Sequence, residues 1–315
     1  MNYDFLELLK SLILKNNYSE FLKILPKPLN QKKIKQIISF IGKEINEKEL
    51  FQFSQELISI WNPKSKKVGF PLIALYWNQN KESMKNYLLN LANDSDWGKR
   101  EYAAKLWSVI LTEDYDNSYK WTHELVNNGS IYTKRAIALA AKYSALERIP
   151  GREEKLLKLL EPLLSNREEY IRKNLGPFSL ATFLRAFPNL TIPKLKEWAK
   201  STNEQIRWNV AKAFASSGGT TSWLLGKEIL FQLATDERRY VWKAVSSAFH
   251  YLGRKKTNEI VPMLEQWLLD PNRKHVAQDA LHYISIKKKM IKFYLFLISK
   301  YFLKSINLKK DKKLA

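Results

Sequence analysis

The most constraining feature of this sequence is a helix start that recurs at an almost constant spacing. With Trp97 as the first reference residue, the equivalent positions follow at intervals of 35, 38, 35, 35 and 35 residues: Tyr132, Tyr170, Gln205, Tyr240 and His275. Units of this length are helix pairs that bury their apolar faces by stacking on one another. The sequence therefore predicts an all-α fold, a HEAT-like helical-repeat solenoid (an α-α superhelix).

Two apolar columns support this alignment. The first stands five residues after each reference position, where each helix should meet its neighbours, and comprises Tyr102, Ile137, Leu175, Val210, Val245 and Ala280. The second stands seven residues before the last five reference positions, on the expected buried face of a preceding helix, and comprises Leu125, Leu163, Trp198, Leu233 and Leu268. Turn-forming residues such as Asn128-Gly129-Ser130 separate the two helices of a unit.

The repeats vary in regularity along the chain. We expect one domain over residues 1–285, with degenerate capping repeats over 1–80 and regular repeats over 81–285, followed by a basic C-terminal helix or tail over 286–315. In the capping part, a basic turn is predicted at 61–67. The helices expected around that turn are Tyr3 to Leu25 (one or two helices), Lys32 to Ile45, Glu47 to Trp61, and a helix around Leu72 to Tyr76.

The charge balance limits the classes of partner. Lys and Arg number 53 against 31 Asp and Glu, a formal net charge of +22. Residues 286–315 carry +9 of this, which leaves +13 for the preceding residues. Such a basic body favours nucleic acid first and an anionic membrane second. There is no Cys, and no signal peptide or transmembrane segment is evident, so a cytoplasmic, soluble monomer is expected.

Two mostly polar columns directly follow the reference residues. They should form a basic stripe with interleaved Trp along one surface, because stacked repeats align equivalent positions. Cations at helix starts oppose the macrodipole and do not stabilise the helices there, which favours a role in binding over a merely solvated face. The predicted contacts to duplex DNA are Lys99, Arg100, Lys134, Arg135, Arg172, Lys173, Arg207, Trp208 and Lys243.

Trp97 and Glu101 are the candidate catalytic residues. They lie roughly 40° apart on one helix, away from its apolar stripe, so an indole and a carboxylate share a face. Two structural alternatives stay open. Glu101 could form an i,i+4 ion pair with Lys105, and Trp97 could pack between repeats.

No cofactor or metal site is predicted. His275, Asp279 and His282 share a helix face, but a zinc site would need a further ligand or an open cleft position, and the sequence indicates neither. Gly218-Gly219-Thr220-Thr221 lacks the preceding strand and the following Lys of a phosphate-binding loop.

Over residues 61–283, these patterns resemble the bacterial alkylpurine DNA glycosylases of the AlkD and AlkC type. Trp97-Gly-Lys-Arg-Glu101 resembles the family's Trp-x-x-x-Asp active-site run, with Glu in place of Asp. The stretch 131–138 is similar to the next repeat of the family, in which an Arg holds backbone phosphate, and 170–176 is similar to the repeat after it. The second substrate-facing Trp of the family would fall near Pro177; the adjacent Phe178 shares an apolar column with Ala213 and Ala248 and is expected in the core.

The resemblance implies excision of positively charged N3- or N7-alkylpurines during DNA repair. A cationic base is already a good leaving group, so the site must mainly stabilise an oxocarbenium-like sugar and position a water. Ionised Glu101 could do both, and Trp97 could hold the cationic group by a cation–π contact. The alternatives are a non-catalytic HEAT-like protein that recognises DNA shape, and a HEAT scaffold that binds acidic protein partners.

Overall fold

The computed structural model describes residues 2–60 and 62–286. The chain divides into two units, one up to Leu163 and the other from Leu164 onward, and each is described by itself. Every regular element of the described residues is helical, and none of them forms a strand. The predicted all-α helical-repeat fold is confirmed. The single domain over 1–285 stays a prediction, and the predicted tail lies outside the described residues, Ile286 apart.

The first unit consists of ten α-helices, after which a 3-10 turn covers Glu161–Leu163. In chain order they are α1 Tyr3–Leu14, α2 Tyr18–Ile24, α3 Gln31–Glu44, α4 Glu47–Ser59, α5 Pro63–Gln79, α6 Lys81–Ala92, α7 Trp97–Glu113, α8 Tyr115–Asn128, α9 Ile131–Leu146 and α10 Glu153–Lys158.

The second unit continues the helix-pair pattern. Its helices are α11 Glu169–Asn174, α12 Ala181–Ala186, α13 Pro188–Trp198, α14 Glu204–Ala213, α15 Ser217–Thr221, α16 Trp223–Leu233, α17 Arg239–Lys255 and α18 Thr257–Trp267. A further helix begins at residue 274 and is described to residue 286.

The predicted repeat alignment matches the helix starts. Trp97 is the first residue of α7, and each later reference residue is the second residue of its helix. All six residues of the column five positions further on are buried. In the column on the preceding helices, Leu163, Trp198 and Leu233 are buried, whereas Leu125 and Leu268 are half-buried. The 35-residue period therefore corresponds to helices that pack on their equivalents, as α7 does on α9 and α14 on α17.

The basic turn predicted at 61–67 is wrong, because α5 already begins at Pro63. Asn62 caps this helix: its side chain accepts hydrogen bonds from the backbone N–H groups of Lys64 and Ser65, and the Ser65 hydroxyl accepts one from the Asn62 N–H. Proline is favoured in the first turn, where its missing N–H costs nothing. Local capping thus extends the helix predicted around Leu72 to Tyr76 by more than two turns.

A π-helical segment, Leu175–Leu180, joins α11 to α12 without a break. It contains Pro177, which has no N–H for the helical hydrogen-bond ladder. The wider turn shifts the side chains that follow relative to a regular 3.6-residue period. The prediction of Phe178 as a core residue is wrong for this reason: its ring is 51% exposed.

Two tryptophans of α7 offer a matched test of this packing. Trp107 is fully buried, its ring stacks on Trp121 with centroids 4.7 Å apart, and its indole N–H donates to the Thr122 hydroxyl over 2.8 Å. We expect Trp107→Ala to lower the free energy of unfolding by about 3–5 kcal/mol. Trp97→Ala, at an exposed position, should change it by less than about 0.5 kcal/mol.

Urea unfolding followed by far-UV circular dichroism measures both variants. Equal midpoints for the two would contradict the assignment of Trp107, and not Trp97, to the core.

Candidate nucleic-acid interface

The first turns of α7, α9, α11, α14 and α17 carry the two predicted polar columns. Side-chain caps define where several of these helices begin. Asp96 accepts a hydrogen bond from the Lys99 N–H over 2.9 Å, Ser130 accepts one from the Thr133 N–H over 3.1 Å, and Asn203 caps α14 in the same way. These helix-start residues are the part of each repeat that we call the helix-start row.

In the first unit, Trp97 is 60% exposed, so it does not pack between repeats. Lys99 is exposed and pairs with Asp94 over 2.9 Å. The Arg100 guanidinium donates to the carbonyl oxygens of Asp94 and Ser95, and its central carbon lies 5.2 Å from the ring centroid of Tyr132. An aromatic ring and a guanidinium from successive repeats therefore meet at this surface.

Glu101 bridges two successive repeats. Its carboxylate accepts a hydrogen bond from Arg135 over 2.8 Å and another from the Tyr143 hydroxyl over 2.7 Å. The Arg135 side chain is only 6% exposed and that of Glu101 18% exposed. We expected Arg135 on the surface as a phosphate contact; the structure instead buries it against α7, because Glu101 neutralises its charge there.

Glu101 remains ionised in this setting. Burial raises the pKa of its carboxyl, but the hydrogen bonds from Tyr143 and Arg135, with the positive charge of Arg135, outweigh that effect and hold the pKa below its ordinary value. Burial and the bond to Glu101 raise the pKa of Tyr143, which keeps its hydroxyl a donor. The result is a fixed, part-exposed carboxylate oriented by two donors.

Lys105 is not the partner of Glu101 that the i,i+4 spacing suggested. Its ammonium lies 3.3 Å from the ring centroid of Tyr143. Burial, and then the neighbouring charge of Lys142, lower the pKa of Lys105. The inter-repeat pair between Glu101 and Arg135 thus replaces the local pair on the helix surface.

In the second unit, an Arg again lies beside an aromatic ring of the next repeat. The Arg172 guanidinium carbon is 5.4 Å from the ring centroid of Trp208. Trp208 stacks on Tyr240 with centroids 5.7 Å apart and the rings inclined by 13°. The Tyr240 hydroxyl donates to Gln205 Oε1 over 2.6 Å, which fixes the tyrosine ring.

Most of the other predicted cations already have carboxylate partners. Lys173 pairs with Glu169, and Lys243 pairs with Asp279. Arg207 pairs with Asp236 over 2.5 Å and also donates to the Ala199 carbonyl, so it stabilises the turn before α17. Lys134 and Arg172 form no ion pair with any carboxylate in the described part of the chain.

Sequence reasoning missed three residues that shape this surface. Tyr143 lies eleven residues after its reference residue and is outside the aligned columns. Asp236 is buried two residues before the cap of α17 and is clamped by Arg207 and Arg238. Lys212 is half-buried beside Trp208, at 5.8 Å from that ring. A search for charges one and two turns beyond the helix start would have found Lys212 and Tyr143.

Two other classes of feature were examined across residues 2–60 and 62–286. No group of three or more His, Asp or Glu side chains is arranged to hold a metal ion. No helix combines the length and apolar character needed to span a membrane.

No family model and no curated protein matches this sequence. Solved structures that are similar to it include the designed armadillo repeat protein YIII(Dq)4CqI, with 18% identity over 62% of this chain and 98% of that chain and a TM-score of 0.28. Another is an engineered protein from the Northeast Structural Genomics Consortium, with 15% identity over 89% of this chain and 81% of that chain and a TM-score of 0.30. At such low scores, these likenesses support no argument about function.

The pair of Glu101 and Arg135 generates a pH-dependent prediction. Glu101→Gln leaves the buried guanidinium without a counter-charge, which should cost about 3–5 kcal/mol of stability. Since the folded pKa of Glu101 is lowered, its contribution is complete above the ordinary value of 4.5 and is lost as the pH falls through the folded pKa.

Denaturant unfolding of parent and variant at neutral pH and at about one unit below that ordinary value measures this effect. The difference between the two proteins should shrink in acid. A difference that is unchanged would show that the ionised carboxylate is not the source of the stability.

Proposed function

We propose that this protein binds duplex DNA along the helix-start row. The observation that carries the proposal is the recurring contact between an Arg and an aromatic ring of the next repeat: Arg100 with Tyr132 in the first unit, and Arg172 with Trp208 in the second. The net charge of +13 on residues before the basic C-terminal segment adds a long-range attraction for polyanions.

These contacts suit phosphate binding for a physical reason. A guanidinium that stacks on a ring through its flat face still presents N–H groups at its edge, where they match phosphate oxygens. Lys134 and Arg172, which have no described carboxylate partner, are the cations most available to DNA. Arg135 and Arg207 hold the scaffold in place, so they contribute to the field rather than by direct contact.

The salt dependence of binding tests the proposal. If about six cations neutralise phosphates, affinity for duplex DNA should fall roughly a thousandfold between about 50 and 200 mM salt, with little dependence on sequence. Lys134→Ala should reduce the slope of log affinity against log salt by about one. Lys158→Ala is the matched control, since Lys158 lies in α10 away from the row and pairs with Glu154.

Fluorescence anisotropy with a labelled duplex, with polyglutamate as competitor, gives both readouts. Undetectable or salt-insensitive binding would remove the proposal. Displacement of the duplex by polyglutamate at equal charge would instead favour a scaffold for acidic proteins.

A second candidate function is the hydrolytic release of alkylated purines, and the geometry of Glu101 favours it. The carboxylate is ionised, oriented by Arg135 and Tyr143, and partly exposed on the helix that begins with the exposed Trp97. This supports the resemblance of the run from Trp97 to Glu101 to the AlkD and AlkC glycosylases. In such a reaction, the bond between the sugar C1′ and the base breaks with its electrons leaving on the cationic base.

Glu101 would stabilise the positive charge that develops on the sugar and accept a proton from the water that attacks C1′. Trp97 would hold the cationic base or sugar through its ring face. The two donors on Glu101 lower its basicity, so charge stabilisation is the larger of its two roles.

Removal of the Glu101 charge should slow base release by about a hundredfold or more. Because Glu101→Gln also weakens the fold, its single-turnover rate is compared with that of Tyr143→Phe, which removes one donor but keeps the carboxylate. We expect a near-complete loss with the first variant and a small change with the second, both checked for native circular dichroism. Release of 7-methylguanine and 3-methyladenine from alkylated DNA is the assay; no release by the parent would exclude the activity.

A further inference from the structure

A depression of about 300 Å³ lies in the second unit, at the start of α17. Aromatic rings form one wall and cations surround it: the lining residues are Trp208, Lys212, Arg239, Tyr240, Lys243 and Ala244. The fixed stack of Trp208 on Tyr240 makes this wall flat and rigid. A flat aromatic wall beside several cations fits a ligand that carries both a planar ring and an anionic group.

The positive charge in this depression exceeds the local negative charge. The Lys212 ammonium donates to the Ser247 hydroxyl over 2.9 Å, and burial lowers its pKa. Neither Lys212 nor Arg239 forms an ion pair with a carboxylate of the described residues. Only Lys243 is neutralised, by Asp279. A bound anion would offset the cost of the half-buried ammonium.

A second depression of about 290 Å³ shares Lys243 as a lining residue with the first. His250 and Tyr283 line it, with ring centroids 5.5 Å apart and rings inclined by 31°. Two adjacent depressions, each with aromatic rings and a common lysine between them, repeat along one surface. This arrangement suits a polymer whose successive units each carry a ring and a phosphate.

We infer that the second unit binds a single-stranded segment of DNA, with one base against Trp208 and Tyr240 and the next in the depression of His250 and Tyr283. Lys212 and Arg239 would hold the intervening phosphates. The inference rests on the proposed function, since both place DNA on the helix-start row, but it specifies unpaired DNA. In a duplex, the base faces are covered by their neighbours, so only an unpaired strand can present them to an aromatic wall.

Binding of a labelled oligothymidylate to the full chain tests this inference by anisotropy. Base–aromatic stacking contributes about 1–3 kcal/mol per base, so Trp208→Ala should weaken binding by about 5- to 150-fold. Trp208→Phe, which keeps a ring face, should restore most of the affinity. Lys212→Gln should lower the salt slope by about 0.7, the value for one phosphate of a single strand.

Lys227→Gln is the control for the lysine variant, because Lys227 is a half-buried lysine of α16 outside both depressions. All variants are first compared by circular dichroism. Unchanged single-strand affinity in Trp208→Ala overturns the inference and leaves the proposed duplex binding intact. Failure of the parent to bind either form of DNA overturns both. Competition by thymidine monophosphate that is equal, per phosphate, to that of the oligomer overturns the assignment of a strand.

Discussion

The structure depends on the packing of each repeat against the next. A pair of helices has too little apolar surface to bury on its own, so the column five residues after each helix start is buried only because equivalent helices lie side by side. This requirement sets the 35-residue period. It also brings the first turns of successive helices next to one another, and so creates a surface on which side chains from different repeats can act together.

Polar contacts between repeats add register to this apolar packing. Glu101 holds Arg135 and Tyr143 of the next repeat, Gln205 accepts from Tyr240, and Lys243 pairs with Asp279. Each contact joins residues 34 to 42 positions apart, close to one repeat length. A buried pair of this kind is weak evidence for net stability, but removal of one partner is costly, so it strongly disfavours a shifted register.

The same contacts change how the surface should be understood chemically. Five of the eight predicted cations are in ion pairs, and two of them, Arg135 and Arg207, stabilise inter-repeat geometry. What distinguishes the surface is therefore the combination of exposed rings with the remaining cations, above all around Trp208. This combination suits a ligand with both planar rings and phosphates better than a simple polyanion.

The sequence by itself determined the helical-repeat fold, the helix starts and the buried columns, because apolar periodicity and turn residues are local signals that stacking preserves. It also identified Trp97 as an exposed ring on the helix that carries Glu101. It could not assign the partner of Glu101, since Arg135 and Tyr143 reach it across a repeat boundary and compete successfully with the local Lys105. Nor could it place Phe178, because the π-helical segment around Pro177 breaks the period from which its burial was predicted. Tertiary structure decided these points, since the pairing of a side chain depends on distances between repeats that no spacing within one helix encodes.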